Sequence, residues 1–205
     1  QCARELAAIH GIEMNPLLQS LEYFSPVELI LVQKDKYHEI GGQIPIYEYA
    51  FHWLEQNAPD ASDKFLVHGD FRMGNLMIDR DGLSAVLDWE LSTLGDPIAD
   101  FSYLMLNWHN PHDGRAGLEG LDLEALGIPT KDEAVARYVA RTGYPVPPMD
   151  WYFAYNLFRL AGIMQGIKKR VIDGTASSAH AKSMSERVAP LVERAYQFAQ
   201  AAGMD

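Results

Sequence analysis

Three polar residues in one short stretch of the chain have the types and the spacing that a metal-assisted reaction requires. Asn75 lies five residues after Asp70, and Asp88 lies thirteen residues after Asn75. Asn75 and Asp88 offer an amide oxygen and a carboxylate, the hard oxygen ligands that Mg²⁺ prefers. Asp70 remains available to accept a proton from a hydroxyl group. A proton acceptor beside a bound metal ion suits phosphoryl transfer, which is catalysed mainly by positioning and charge neutralisation.

Short apolar segments on both sides of these residues predict the strands that position them. A tight turn is predicted at residues 80–82, where Gly82 can adopt a positive φ. The hairpin around this turn would bring Asp88 back toward Asn75, and residues 69–75 would form the loop that leads into it. The three predicted strands are residues 64–68 (KFLVH), 76–79 (LMID) and 83–88 (LSAVLD).

Helical periodicity dominates the rest of the chain. Asp96 followed by Pro97 predicts a helix start, with Asp as N-cap and Pro as the first helical residue. Pro190 is expected to bend the last helix, and residues 12–40 give mixed signals because prolines interrupt them. The predicted helices are residues 2–10, 43–57, a helix from 97 onward, 131–142, 151–172 and 181–202. The predicted fold class is α+β and mainly α, with one small hairpin.

Composition excludes several classes of protein. Among 205 residues, Lys and Arg number 17 and Asp and Glu number 28, so the formal net charge is −11. This acidic balance argues against nucleic acid or an anionic membrane surface as a partner. The apolar runs are too short to span a membrane. The single cysteine, Cys2, excludes an internal disulfide and a CxxC zinc site, and it indicates a reducing compartment, the cytoplasm.

Three segments carry a resemblance to a known family: residues 68–75 (HGDFRMGN), 86–90 (VLDWE) and 95–100 (GDPIAD). The chain resembles the aminoglycoside phosphotransferase family, which are small-molecule kinases with a protein-kinase-like fold. The stretches HGDFR, VLDWELSTLGDP and FRLAGIMQG are similar to the kinase-like domains associated with acyl-CoA dehydrogenases. The resemblance extends over nearly the whole chain, as the C-terminal lobe of such a kinase with its small catalytic hairpin.

The resemblance implies a reaction and a role for the matching residues. The reaction would move the γ-phosphoryl group of ATP, with Mg²⁺, to a hydroxyl group of a small molecule, either aminoglycoside-like or of hydroxyacyl type. Asp70 corresponds to the catalytic base, and Asn75 and Asp88 correspond to the Mg²⁺ ligands. His68 corresponds to a histidine that organises the loop.

Two further acids match the family at the start of the predicted helix. Asp96 or Asp100 would hold the loop through its backbone N–H groups. For Asp96 the simpler explanation is equally good, because an Asp before a Pro at a helix start is explained by N-capping alone.

Five other positions are implied to contact the nucleotide or the acceptor. Met77 and Leu87 would line the floor of the adenine pocket. Arg72 and Glu90 would face the phosphate or the substrate. Arg159 lies in a mostly apolar helix and needs a partner there, which is either an anionic substrate group or a nearby acid.

The chain also departs from the family in one respect. Kinases of this type have an N-terminal lobe that covers the ATP phosphates and supplies a strand lysine. We expect residues 1–205 to be the C-terminal lobe alone, without that ATP-clamping lobe, so that this chain by itself is an incomplete enzyme. The alternative function is a non-catalytic kinase-like module that binds a ligand or a protein partner.

Overall fold

The computed structural model describes residues 1–39, 45–60, 64–112, 117–176 and 181–204. These residues form two compact units. The first unit comprises Gln1–Phe24 and Ala61–Met149, and the second comprises Ser25–Asp60 and Asp150–Asp205. The residues predicted to do chemistry lie in the first unit, with the exception of Arg159.

Helices make up most of the described chain, as the sequence predicts. The helices are α1 (Cys2–His10), α2 (Pro26–Glu39), α3 (Pro45–Gln56), α4 (Pro97–Met105), α5 (Lys131–Thr142), α6 (Asp150–Ile172), α7 (Ala181–Ser185) and α8 (Val188–Ala201). The strands are β1 (Tyr23–Phe24), β2 (Phe65–Val67), β3 (Leu76–Asp79), β4 (Gly82–Val86) and β5 (Thr93–Gly95). None of the described helices combines the length and the apolar character that a membrane crossing requires.

The first unit is built on a small sheet with the strand order β1-β5-β2. β5 runs parallel to β1 and antiparallel to β2, with Leu94 opposite Leu66. Periodicity does not reveal β1 or β5, because two or three residues are too few to show an alternation. This sheet positions the segments on either side of the site, since β2 leads into residues 68–75 and β5 leads into α4.

The predicted hairpin is present as a separate two-stranded sheet of β3 and β4. Leu76 pairs with Val86 and Asp79 with Gly82, so the turn falls where the sequence predicts it. The second strand ends at Val86, two residues earlier than expected. Asp88 therefore lies beyond the sheet, in the segment between β4 and β5.

Side-chain caps begin two helices of the first unit as the sequence predicts. Asp96 Oδ1 accepts the N–H of Ile98 at 2.9 Å, with Pro97 at the first helical position of α4. Thr130 and Glu133 exchange side-chain and backbone hydrogen bonds in a capping box at the start of α5.

The second unit is a set of helices packed around aromatic side chains. The rings of Tyr37 and Tyr47 stack with their centroids 4.8 Å apart, and Phe158 meets Tyr47 edge-on. Trp151 donates its indole N–H to the carbonyl of Leu54 at 3.2 Å. The aromatic side chains at the start of α6 are buried, so they form the core of this unit and not an exposed platform.

Two expectations for the second unit need correction. The predicted helix 181–202 is two helices, α7 and α8, and the break precedes Pro190. Pro190 lies in the first turn of α8, where a missing N–H costs little, so it does not bend the helix. Residues 12–40 gave mixed signals, so the sequence did not predict α2, which begins at Pro26. Residues 43 and 44 of the predicted helix 43–57 lie outside the described residues.

Candidate active site

Residues 68–75, called the site loop below, are anchored at their start by Asp100. The N–H of Gly69 donates to Asp100 Oδ1 at 2.8 Å, and the N–H of His68 donates to Oδ2. Both His68 and Asp100 are buried. Two adjacent N–H groups thus meet the two oxygens of one carboxylate, which fixes the direction in which the chain leaves β2.

The charge of Asp100 is maintained by its contacts. Burial by itself raises the pKa of Asp100, but the nearby His10 and the N–H groups of His68 and Gly69 lower it, and the net pKa lies below the ordinary value. Asp100 is therefore an ionised acceptor at neutral pH.

The lowered pKa of Asp100 predicts an acid-sensitive contribution to stability. The pKa in the unfolded chain is about 3.9, and the folded value is lower, so the contribution is complete above the unfolded value. It is lost as the pH falls through the folded pKa. Asp100→Asn should lose about 1–3 kcal/mol at pH 7, because one amide oxygen cannot serve both N–H groups.

Urea unfolding at a series of pH values between 7 and 3 measures this contribution. The difference in unfolding free energy between the wild type and Asp100→Asn should shrink as the pH falls below about 4. Asp173→Asn is the control, since its exposed pair with Lys169 should contribute less than about 1 kcal/mol. A constant difference across this pH range would show that Asp100 is not held ionised by its partners.

His68 joins the site loop to the segment that follows the hairpin. Its Nδ1 accepts the N–H of Asp70 at 3.2 Å, so in the neutral ring the hydrogen is on Nε2, which donates to the carbonyl of Leu87 at 2.9 Å. Its ring packs against Trp89 with centroids 4.7 Å apart. The histidine thus ties the residue before Asp88 to the backbone of Asp70.

Gly69 occupies a position that other residues fit poorly. Its φ is +80°, and a Cβ atom there would lie 2.5 Å from the carbonyl oxygen of Leu91. The absence of a side chain therefore permits both the backbone conformation and the close approach of residue 91.

Gly69→Ala should destabilise the protein more than backbone strain alone explains. Gly127 provides the matched comparison, because its φ is +65° and a Cβ there meets nothing within 4 Å. Gly127→Ala should cost about 1–2 kcal/mol from the left-handed backbone, and Gly69→Ala should cost more because Leu91 must move. Equal losses in urea unfolding would contradict the tight packing at Gly69.

The side chains of Asp70, Arg72 and Asn75 form one hydrogen-bonded group. Asn75 Nδ2 donates to Asp70 Oδ2 at 2.8 Å and to the Asp70 carbonyl at 2.9 Å. Arg72 Nε donates to the same Oδ2 at 2.9 Å. The hydrogen bond to Asp70 raises the pKa of Arg72 against the opposing effect of burial, and the charges of Asp70 and Asp88 add to the increase. These contacts use Oδ2, which leaves Oδ1 of Asp70 as the oxygen that can accept a proton.

Asp88 is the non-glycine residue with a positive φ in the described chain. Its φ of 65° and ψ of 58° are left-handed, a conformation that costs about 1–2 kcal/mol for residues with a side chain. The preceding Leu87 donates its N–H to the carbonyl of Asn75 at 2.8 Å, which fixes Asp88 next to the end of the site loop. Such strained residues cluster at functional sites.

Asn75 and Asp88 fit the requirements of a Mg²⁺ ion. The amide nitrogen of Asn75 is engaged by Asp70, so its amide oxygen is the atom left to bind a metal. The carboxylate of Asp88 is exposed, and Asp88 follows Leu87, whose N–H is bonded to the Asn75 carbonyl. The described residues contain no cluster of three or more His, Cys, Asp or Glu side chains placed to hold a metal. One carboxylate and one amide suit Mg²⁺, which usually keeps several waters and binds substrate phosphates.

The structure places the remaining predicted residues as follows. Met77 and Leu87 are half-exposed apolar residues in and after the hairpin. Glu90 is exposed in the short helical turn Trp89–Leu91, which follows Asp88. Arg159 is half-buried in α6 of the second unit and is thus not in the unit that carries the other predicted residues.

Two residues of the site environment are not revealed by the sequence. His10 and Tyr138 lie beside Asp100 in the first unit, although they are 90 and 38 residues from it along the chain. Burial and the charges of Asp100 and Asp96 raise the pKa of Tyr138, so its hydroxyl remains protonated. The one available signal is a histidine at the end of an amphipathic helix, which usually has no functional meaning.

The chain belongs to the phosphotransferase enzyme family, whose model matches residues 1–138. The helical fold with its small hairpin is that of a lobe of the kinase-like phosphotransferases. The resemblance described from the sequence is thereby confirmed.

Individual proteins and solved structures are similar to this chain over most of its length. The chain is 40% identical over 167 residues to acyl-CoA dehydrogenase family member 10 of Mus musculus, covering 78% of this chain and 15% of the relative. It is 37% identical, with a TM-score of 0.87, to a crystal structure from Ralstonia eutropha JMP134 of a protein provisionally named an aminoglycoside phosphotransferase, covering 97% of this chain and 63% of that one. A spectinomycin phosphotransferase in complex with ADP and spectinomycin shares the fold, with a TM-score of 0.58 at 13% identity, over 98% of this chain and 64% of that one.

Proposed function

We propose that the protein transfers the γ-phosphoryl group of Mg·ATP to a hydroxyl group of a small molecule. The observation that carries this proposal is the arrangement of Asp70, Asn75 and Asp88 around the end of one anchored loop. A module that only binds a ligand would not need the strained backbone of Asp88. It would also not need the Asp70 carboxylate beside the two proposed metal ligands.

In this proposal Asp70 receives the proton of the acceptor hydroxyl. Oδ2 is held by Asn75 and Arg72, so Oδ1 faces the acceptor and takes the proton as the oxygen attacks phosphorus. The contacts with Arg72 and Asn75 hold the Asp70 carboxylate in one orientation. The transfer forms a phosphate ester of the acceptor and releases ADP, and the proton passes from Asp70 to solvent.

The amide oxygen of Asn75 and the carboxylate of Asp88 would hold Mg²⁺. When bound, the ion neutralises the charge that the phosphates carry during transfer. The left-handed backbone of Asp88 and the hydrogen bond from Leu87 to Asn75 hold these two ligands in place before the metal binds.

Other residues are assigned to the two substrates. Met77 and Leu87 offer half-exposed apolar surface near Asp88, and we assign them to the adenine ring. Arg72 has guanidinium nitrogens beyond the one that contacts Asp70, and these suit a phosphate. Glu90, in the turn that follows Asp88, is assigned to the acceptor.

For the acceptor we propose a hydroxyacyl thioester. The relative from Mus musculus bears the name of an acyl-CoA dehydrogenase family member, and it is more similar to this chain than the spectinomycin phosphotransferase is. A hydroxyacyl group provides the hydroxyl that the reaction needs.

The test compares two thioesters that differ by one hydroxyl group. The full-length protein is incubated with Mg·ATP and either 3-hydroxybutyryl-CoA or butyryl-CoA, and ADP release is followed. We expect release with the hydroxylated thioester and only background release with the other. ADP release with spectinomycin, and not with the thioester, would indicate an antibiotic as the acceptor. Mg·ATP binding without release for any hydroxylated compound would favour the non-catalytic module.

A further inference from the structure

A buried polar network links two residues outside the site loop to the carboxylate that anchors it. His10 ends α1 and Tyr138 lies in α5, and both are buried in the first unit. His10 Nδ1 lies 2.7 Å from the Tyr138 hydroxyl, and His10 Nε2 lies 3.5 Å from Oδ2 of Asp100. The same carboxylate oxygen accepts the N–H of His68.

With a neutral His10 ring, the donors and acceptors of this network fit one arrangement. Ionised Asp100 only accepts, so the hydrogen of a neutral His10 ring lies on Nε2 and points to Asp100. Nδ1 then accepts the hydrogen of the Tyr138 hydroxyl. The donations thus run in one direction, from Tyr138 through His10 to Asp100.

A second contact couples the same helices. The ring of Phe101 stacks on Tyr138 with centroids 4.0 Å apart and an angle of 18° between the planes. Because Phe101 follows Asp100 in α4, the stack holds the Asp100 backbone against α5. The Tyr138 ring therefore contacts Phe101 and the Tyr138 hydroxyl contacts His10, so a substitution can remove the second contact and keep the first.

We infer that His10 and Tyr138 are positioning residues that hold the Asp100 carboxylate against the start of the site loop. Asp70 follows His68 by two residues, so its place depends on this carboxylate. The position of the site loop depends on this network whether or not the protein is a kinase. The consequence for catalysis rests on the proposed function.

Tyr138→Phe tests the inference with little disturbance of the core. It removes the hydroxyl and keeps the ring that stacks on Phe101. In the full-length protein we expect severalfold faster amide hydrogen exchange at His68 and Gly69. We also expect kcat to fall by about tenfold to a hundredfold, since small misplacements of reacting groups have effects of this size. The KM for Mg·ATP should change little, because Tyr138 contacts none of the residues assigned to the nucleotide.

Two further variants complete the design. Tyr47→Phe is the matched control, since among the described residues the buried Tyr47 hydroxyl has no hydrogen-bond partner. It should leave both the loop exchange and kcat unchanged. His10→Leu should loosen the loop as Tyr138→Phe does, and His10→Gln, which keeps an N–H donor, should recover part of the protection.

The outcomes separate this inference from the proposed function. Wild-type exchange at His68 and Gly69 in both Tyr138→Phe and His10→Leu would overturn the inference. So would a uniform rise in exchange across the first unit, which would indicate a merely structural role. If the loop loosens selectively while the wild type transfers no phosphoryl group, the positioning role stands and the proposed function fails. If the wild type is active and Tyr138→Phe has wild-type kcat, the catalytic part of the inference fails.

Discussion

Asp70→Asn in the full-length protein should reduce phosphoryl transfer by about a thousandfold, a value within the range for loss of a general base. The amide has the shape of the carboxylate and can still accept from Asn75 and Arg72, but it cannot take the proton of the attacking hydroxyl. The fold and the affinity for Mg·ATP should therefore persist. Steady-state ADP release, together with calorimetric binding of Mg·ATP, measures both quantities.

Asp81→Asn is the control for this substitution. It removes one negative charge from the turn of the neighbouring hairpin, at an exposed position whose recorded contact is made by the backbone N–H. It should retain wild-type activity. If Asp70→Asn kept near-normal turnover, Asp70 would not be the proton acceptor and the mechanism would be wrong.

Asp88→Asn should weaken Mg²⁺-dependent nucleotide binding by at least about a hundredfold, because even indirect partners of a metal ligand contribute tenfold to a hundredfold. Asn tolerates the left-handed backbone at least as well as Asp, so the backbone conformation is retained and the ligand charge is lost. Titration calorimetry with ATP in the presence of Mg²⁺, and again in the presence of EDTA, measures the effect. The wild type should lose affinity in EDTA, whereas the variant should be weak in both conditions.

Asp88→Gly separates the strain from the charge. Gly adopts a φ of 65° without cost, so this variant should be as stable as the wild type or more stable, by up to about 1 kcal/mol. It should nevertheless share the binding defect of Asp88→Asn. Mg²⁺-dependent affinity equal to that of the wild type in either variant would remove Asp88 from the metal site.

Much of the local structure could be predicted from the sequence, because its signals are local. The turn at residues 80–82 and the capping box at Thr130 depend on a few neighbouring residues, and the structure has both. β1 and β5 could not be predicted, since their short segments become strands only by pairing with residues far along the chain. The bend predicted at Pro190 was wrong because a proline is compatible with two positions: it bends a helix from its interior, and it is also accepted in the first turn.

The geometry of the site was predicted in part. The spacing of Asp70, Asn75 and Asp88 predicts their convergence. In the structure Asn75 bonds to Asp70 through its side chain and to Leu87, the residue before Asp88, through its backbone carbonyl. The roles of these residues remain predictions. The left-handed backbone of Asp88 could not be predicted from the sequence, because an Asp, unlike a Gly, does not indicate a positive φ. The contacts of His10 with Asp100 join distant helices, and sequence spacing carries no signal for such contacts.

Phosphorus NMR detects the transfer of a phosphoryl group to a hydroxyl without any coupled assay. The full-length protein is incubated with Mg·ATP and 3-hydroxybutyryl-CoA or spectinomycin, and the phosphorus signals are followed over time. We expect a new phosphate-ester signal, coupled to the proton on the acceptor's carbinol carbon, that grows in step with ADP and is lost in Asp70→Asn. Inorganic phosphate growing in step with ADP, without an ester, would identify a hydrolase and contradict the account.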